Sequence, residues 1–351
     1  MDYEILAPDG SPLQPIQKIL FGPPGTGKSH HVGERLLLDC DWQQNVVRTV
    51  FHPEYSYGDF VGKLLPLSRP DGGVAYNYYI GDFFRALARA YYLLISQEVP
   101  EPVALIIDEI NRGNAPAIFG KVFQLLDRNL NGWSNYAVSM SDMEILALAR
   151  KVGFEENTRS GQITGFSFIK PKNEAAMVEL SEMLRERRIV LPPNLSIIGT
   201  MNTSDESIFY LDSAFKRRWN WQYIRNQLSE TSAHMESHFE YERLSYDWIN
   251  FVDAVNSFII SCADKVRRVE DKTIGYWFIK PTRDKVLDAE NVREKILFHL
   301  WDSVFSRSKQ PLSEFLGKDT RLFTFGDFSD GFGKFQNRLE ESHGLESKIP
   351  F

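Results

Sequence analysis

Apolar residues in this chain gather into short runs separated by longer amphipathic stretches. The runs Lys18–Phe21, Val46–Phe51, Val103–Ile107 and Leu195–Ile198 suit strands buried on both faces, and a further strand is predicted at Trp219–Tyr223. Helical patterns lie between them at Ser29–Leu38, Gly81–Ile95, Pro116–Leu126 and Ser207–Arg218. Such alternation over residues 16–225 predicts an α/β domain, a parallel sheet flanked by helices. Residues 1–15 read as a linker ahead of it.

One segment breaks the alternation. Nearly seventy residues separate Asp127 from Leu195, too many for a structureless loop in a compact domain. They contain a turn at Asn129–Trp133, a short strand at Tyr136–Ser139, a helix at Met143–Val152, a Gly- and Thr-containing stretch at Gly161–Phe168 and a second helix at Asn173–Arg188. The expectation is an insertion at about 140–190, carried on a hairpin that rises from the sheet edge. After about Asn226 strand-like alternation fades. Helical patterns at Tyr246–Val266, Val292–Phe305 and Gly333–Leu339 predict a small, mostly helical lid and C-terminal region over 226–351.

Composition narrows the class of molecule. The chain has 351 residues, 43% hydrophobic, enough for a sizeable core. A net charge of −7 argues against a protein that coats nucleic acid, which needs clustered Lys and Arg. No run reaches the roughly 18 apolar residues of a membrane span, and the most apolar helix is interrupted by Arg85 and Arg89. Cys40 and Cys262 lack metal-ligand spacing and read as small buried hydrophobes in a reducing compartment. A cytoplasmic location with no membrane contact is expected.

Candidate chemistry begins at Gly22-Pro23-Pro24-Gly25-Thr26-Gly27-Lys28-Ser29, followed by His30, which matches G-x-x-x-x-G-K-[ST] between a strand and a helix. Glycines there let main-chain N–H groups turn inward around phosphate oxygens, Lys28 adds a point charge between the β- and γ-phosphates, and the Ser29 hydroxyl suits Mg2+. Eighty residues beyond Lys28, the apolar strand Leu105–Ile107 ends in Asp108-Glu109. Asp108 is the candidate to hold magnesium through water, and Glu109 to polarise the attacking water. Asn202, at the end of Ile198-Gly-Thr-Met-Asn, is the candidate to orient that water. Lys216-Arg217-Arg218 closes a helical pattern. Cations favour a helix C-terminus, but an arginine here also suits a finger that reaches a neighbour's γ-phosphate, and Arg217 and Arg218 are retained jointly.

These four elements in this order resemble the AAA+ ATPases. Finer wording is similar to the McrB family, the motor subunits of modification-dependent restriction systems: Phe51-His-Pro-Glu-Tyr-Ser-Tyr-Gly-Asp-Phe60, Ile107-Asp-Glu-Ile-Asn-Arg112, Met201-Asn-Thr-Ser-Asp-Glu-Ser207 and Asp271-Lys-Thr-Ile-Gly-Tyr-Trp-Phe278. The resemblance spans about Leu20 to Phe305. It implies a homo-oligomeric, hexameric ring hydrolysing GTP or ATP with Mg2+, coupled to a McrC-like nuclease, with DNA engaged through the complex. A MoxR-like or dynein-related protein remodeller is the alternative.

Three departures qualify that resemblance. About twenty residues precede the phosphate loop, where family members usually carry a domain that reads modified DNA. Ser204-Asp205-Glu206 replaces the usual Ala-Asp-Arg, and the Asp142–Arg188 segment is longer. The basic run Arg185–Arg188 is open to a DNA or partner role or to that of a solvated face. Base contacts are open among Tyr3, Ile16, Gln17 and the lid around Ile274–Tyr276, with Arg267 and Arg268 as candidates for the γ-phosphate.

Overall fold

The computed structural model describes residues 4–7, 9–37, 40–41, 43–68, 70, 72–159, 162–203, 209–228, 234–317 and 320–348. The chain forms two compact units. One comprises Met1–Leu20, Ser29–Met201 and Ser207–Gln222; the other comprises Phe21–Lys28, Asn202–Glu206 and Tyr223–Phe351.

In chain order the first stretch runs β1 (Gln17–Gly22), the phosphate loop, and α1 (Lys28–His31), which continues as a π-wound turn over Val32–Leu36. Then come β2 (Val46–Val50), α2 (Tyr57–Phe60), the hairpin β3 (Gly62–Ser68) and β4 (Val74–Ile80), α3 (Asp82–Ser96) and β5 (Val103–Asp108). The helix α4 (Ala115–Phe119) passes into tighter turns over Gly120–Leu126. The insertion supplies β6 (Val138–Ser139), α5 (Asp142–Val152), β7 (Glu155–Arg159), β8 (Gln162–Ser167), α6 (Glu174–Arg185) and β9 (Arg188–Ile189). β10 (Leu195–Asn202), α7 (Ser213–Lys216) and β11 (Asn220–Tyr223) complete it.

Five strands make one sheet in the order β11-β1-β10-β5-β2, with β10 and β2 both parallel to β5. The run Val103–Ile107 is fully buried because both faces of β5 are covered, which is why its sequence is continuously apolar instead of alternating. The helix α3 buries ten side chains, more than one helix stripe. Its second apolar face is taken by the insertion: α5 and α6 both pack on α3, and Ile145, Leu148, Leu180 and Leu184 belong to the same core as Ile19, Leu105 and Ile197. Tyr91 of α3 also donates its hydroxyl hydrogen to the Val190 carbonyl and accepts from the Val190 N–H. The insertion's two helices are therefore part of the wall of the α/β unit, not an arm standing clear of it. Ser141 and Glu144 form a capping box that starts α5 where the sequence places a helix.

The second unit holds β12 (His238–Tyr241), β13 (Leu244–Asp247), α8 (Trp248–Ser261), α9 (Val269–Lys272), α10 (Ala289–Phe298) with a π-wound extension over His299–Val304, α11 (Gln310–Leu316), α12 (Phe325–Ser329), α13 (Phe332–His343) and β14 (Ser347–Lys348). Trp248, Phe251, Phe258, Val292, Leu300, Phe332 and Phe335 lie in its own core.

Several elements differ from expectation. The β3–β4 hairpin was not anticipated; its strands are largely exposed, so no single apolar face marks them, although Asp71-Gly72 between β-prone runs is a turn signal. The small antiparallel sheet β12-β13-β14 joins the helices of the expected mostly helical C-terminal region. Among the described residues of the expected Ser207–Arg218 helix, Ser213–Lys216 are helical, started by the Asp212 side chain, which accepts from Phe215 N. Residues 204–208 lie outside the described set, and so does Tyr3. Cys40 and Cys262 are free and buried, and burial pushes the Cys40 thiol up to about 11.

Candidate active site

The phosphate loop is built from main chain. Gly25 and Gly27 sit at φ +77° and +80°, a region that side-chain-bearing residues rarely adopt. Lys28 is buried, and its ammonium donates to the carbonyls of Gly22 (3.0 Å) and Pro23 (2.8 Å); Thr26 Oγ1 donates to Pro23 O at 3.0 Å. Thr203 N, just after Asn202, donates to Gly22 O at 3.4 Å. Burial is the chief cause that raises the Asp271 carboxyl above its ordinary range.

In the α/β unit, Ser29 and His30 are exposed at the start of α1. Asp108 ends β5; its carboxylate accepts from Thr200 Oγ1 (2.8 Å) and from Arg48 Nε (2.5 Å). Arg48 is a residue the sequence reading missed. The signal was a lone cation inside the apolar strand Val46–Val50, which pairs with the acidic strand. Glu109 follows at φ +53°, a conformation that costs a non-glycine residue energy and is concentrated at functional turns. Ile110 N donates to Thr200 O and Arg112 N to Glu109 O, which fixes that turn; Arg112 Nε lies 3.9 Å from Glu109 Oε2.

The donor set suits magnesium. A serine hydroxyl and a carboxylate are hard oxygen ligands, and Mg2+ in phosphate sites takes few protein ligands, keeping water and phosphate oxygens for the rest. No group of three or more His, Cys, Asp or Glu residues able to hold a metal occurs among the described residues.

The two arginines of the pair differ sharply. Arg218 donates to Asp127 (2.9 Å from Nε, 2.7 Å from a terminal nitrogen) and to Ala214 O, stacks over the Phe123 ring, and leaves 9% of its side chain exposed. Arg217 is exposed. Gln17, one of the candidates left open for base contact, is buried and hydrogen-bonded inside the unit. Its amide donates to Leu126 O and Arg218 O, and its oxygen accepts from Arg128. Arg128 donates further to the carbonyls of Gly132, Pro192 and Leu195, and desolvation lowers its pKa to about 9, so it remains a cation at neutral pH. Arg217, Arg218, Arg128 and Asp127 line a cavity of about 550 Å3.

The basic run of α6 is paired locally: Arg185 with Glu182, Arg187 with Asp142 and Arg188 with Glu186. That arrangement fits a solvated face. Ile16 is half-buried, and Arg267 and Arg268 are exposed.

Comparison with known proteins follows from this geometry. The model of the AAA domain, dynein-related subfamily, matches residues 17–219. The chain belongs to that family. The AAA domain hydrolyses nucleoside triphosphates, and this chain is related to McrB-type restriction components. It is 28% identical over 332 residues to the type II restriction enzyme BsuMI component YdiS of Bacillus subtilis, covering 87% of this chain and 83% of the relative. It is 30% identical over 207 residues to the type IV methyl-directed restriction enzyme EcoKMcrB subunit of Escherichia coli, covering 58% of this chain and 34% of the relative. Among the described residues of this AAA protein no helix is long and apolar enough to cross a membrane.

Proposed function

We propose that this chain is a ring-forming, McrB-like motor that hydrolyses GTP or ATP with magnesium and drives or regulates a McrC-like nuclease acting on foreign DNA in the cytoplasm. The observation that carries this reading is the match of the AAA domain over residues 17–219, a span that contains the Gly22–Ser29 motif and the strand β5 ending in Asp108. Restriction components among its relatives support the nuclease connection.

In this mechanism Lys28 and the loop amides of Gly25, Thr26 and Gly27 bind the β- and γ-phosphates, with Gly22, Pro23 and Pro24 shaping the turn. Ser29 and Asp108 would hold a magnesium ion, which would supply charge neutralisation at the phosphate oxygens. Glu109 accepts the proton of the attacking water and Asn202 orients that water. Arg217, exposed at the end of α7, stabilises charge on the triphosphate of an adjacent subunit. Arg218 holds Arg217's backbone in place through Asp127. His30 sits exposed at the start of α1.

The test is co-purification with the products of the neighbouring genes, followed by GTP and ATP hydrolysis assays with and without any nuclease recovered. Partner-stimulated turnover, together with recovery of hydrolysis when Arg217→Ala subunits are mixed with Lys28→Ala subunits, is the expected result. A ring that hydrolyses nucleotide but ignores every nuclease and remodels protein substrates instead would replace this reading with the remodeller.

A further inference from the structure

The segment Ile274–Phe278 lies against the phosphate loop, and the contact is made by main chain on both sides. Gly275 N donates to Pro24 O at 2.8 Å and Trp277 N donates to Gly25 O at 2.7 Å. From behind, three side chains hold the same segment. Asn256 accepts from Ile274 N and donates to Ile274 O, both at 2.9 Å. Asn226 accepts from Tyr276 N at 2.8 Å and Trp248 Nε1 donates to Tyr276 O at 2.8 Å. Phe278 N closes a turn on Gly275 O at 3.0 Å. Every main-chain N–H and C=O from Ile274 through Tyr276 therefore has a named partner, which is how a non-helical segment becomes rigid.

The approach is too close for side chains. A Cβ on Gly275 would lie 2.1 Å from Gly25 O, and one on Gly25 would lie 2.6 Å from Phe278 N. Gly275 has φ −95° and ψ 166°, values open to any residue. It is a glycine for proximity, not for conformation. At Gly27 a Cβ would meet the Trp277 ring at 3.0 Å.

We infer that this strap is a positioning element for phosphate binding: it aims the loop amides. In a planar trans peptide the N–H lies opposite the C=O. Holding the oxygens of Pro24 and Gly25 toward the strap turns the N–H groups of Gly25 and Thr26, which share those peptide planes, away from it and into the loop. Amides fixed in this way need no reorganisation when an anion arrives. The inference rests on the phosphate-loop reading above and adds residues to it. Gly275, Asn226 and Asn256 act on the nucleotide only through the loop.

The experiment uses the full chain and two probes, inorganic tripolyphosphate and a nucleoside triphosphate, with binding measured by calorimetry and folding checked by circular dichroism and thermal melting. Gly275→Ala is expected to weaken both probes by about the same factor, tenfold or more, as the loss of a charge-assisted amide contact implies. Asn226→Ala is expected to give a smaller loss of the same kind, and it decides the matter if Gly275→Ala does not fold. Trp277→Phe keeps the main-chain N–H and is expected to stay within about threefold of the parent. Folded Gly275→Ala or Asn226→Ala protein that binds tripolyphosphate as the parent does would overturn the inference. So would a loss confined to the nucleotide, which would make the strap a base reader, or a loss of tripolyphosphate binding in Trp277→Phe. If the parent chain binds neither probe, the failure belongs to the phosphate-loop reading itself.

Discussion

The phosphate loop and the acidic end of β5 differ in which part of the residue does the work. The loop depends on main-chain groups and on hydrogen atoms in place of Cβ: Gly25 and Gly27 at positive φ, Gly275 seated on the Gly25 carbonyl. The end of β5 depends on side chains, with the Asp108 carboxylate between Thr200 and Arg48 and Glu109 held at a costly φ. A main-chain site is damaged by adding one methyl group anywhere along it. A side-chain site accepts isosteric replacement with its fold intact and loses only chemistry. The Arg217–Arg218 pair repeats the contrast within two residues: one exposed, the other bound into an ion pair and a ring stack.

The largest expected effect breaks the arginine comparison. Arg217→Ala should cut turnover by about a thousandfold while leaving nucleotide affinity and melting temperature near the parent values, as removing an arginine finger does. Steady-state hydrolysis with parallel binding and melting curves reads this. Equal loss in Arg217→Ala and Arg218→Ala with no stability change in either would erase the distinction drawn here.

Next in size, Lys28→Ala should raise the triphosphate dissociation constant by about a hundredfold, the scale of a charged hydrogen-bonding partner removed from a buried anion site. Calorimetric titration checks it, and unchanged affinity would place the phosphates elsewhere. Arg218→Ala should instead act on stability, by about 2 kcal/mol, because Asp127 loses its partner and Phe123 its stacked cation. Chemical denaturation measures that; a parent-like midpoint with reduced turnover would move Arg218 into the chemistry.

The smallest expected effect sharpens the acidic side. Arg48 pairs with the Asp108 carboxylate at a position half open to solvent, where it competes with any cation that the carboxylate would hold. Arg48→Gln should therefore lower the magnesium concentration needed for half-maximal nucleotide binding by a few fold, about the worth of one partly screened ion pair. A higher magnesium requirement would make Arg48 part of the phosphate-binding charge instead of a competitor for the carboxylate.

What could be read in advance follows the same division. Lys28-Ser29 and Asp108-Glu109 were legible because the chemistry fixes residue types at fixed spacing between a strand and a helix. β1, β5 and β10 were legible because their burial leaves short apolar runs, whereas β2 and β11 are largely half-buried or exposed. The strap was visible only as the wording Asp271–Phe278, since its action passes through main-chain groups that every residue carries and its Gly275 looks like any turn glycine. The bonds of Gln17 could not be read in advance because its partners, the carbonyls of Leu126 and Arg218, are distant in sequence and of no particular residue type. The β3–β4 hairpin escaped because its exposed Leu64, Leu65, Val74 and Tyr76 mix apolar residues onto solvent-facing positions, blurring the alternation that marks a strand.

The central claim is that Glu109 performs hydrolysis on a triphosphate held by the loop. Single-turnover hydrolysis and equilibrium binding by Glu109→Gln, beside the parent chain, tests it most directly. The account predicts parent-like affinity with the chemical step slowed by about a hundredfold or more. Hydrolysis by Glu109→Gln at the parent rate would contradict it.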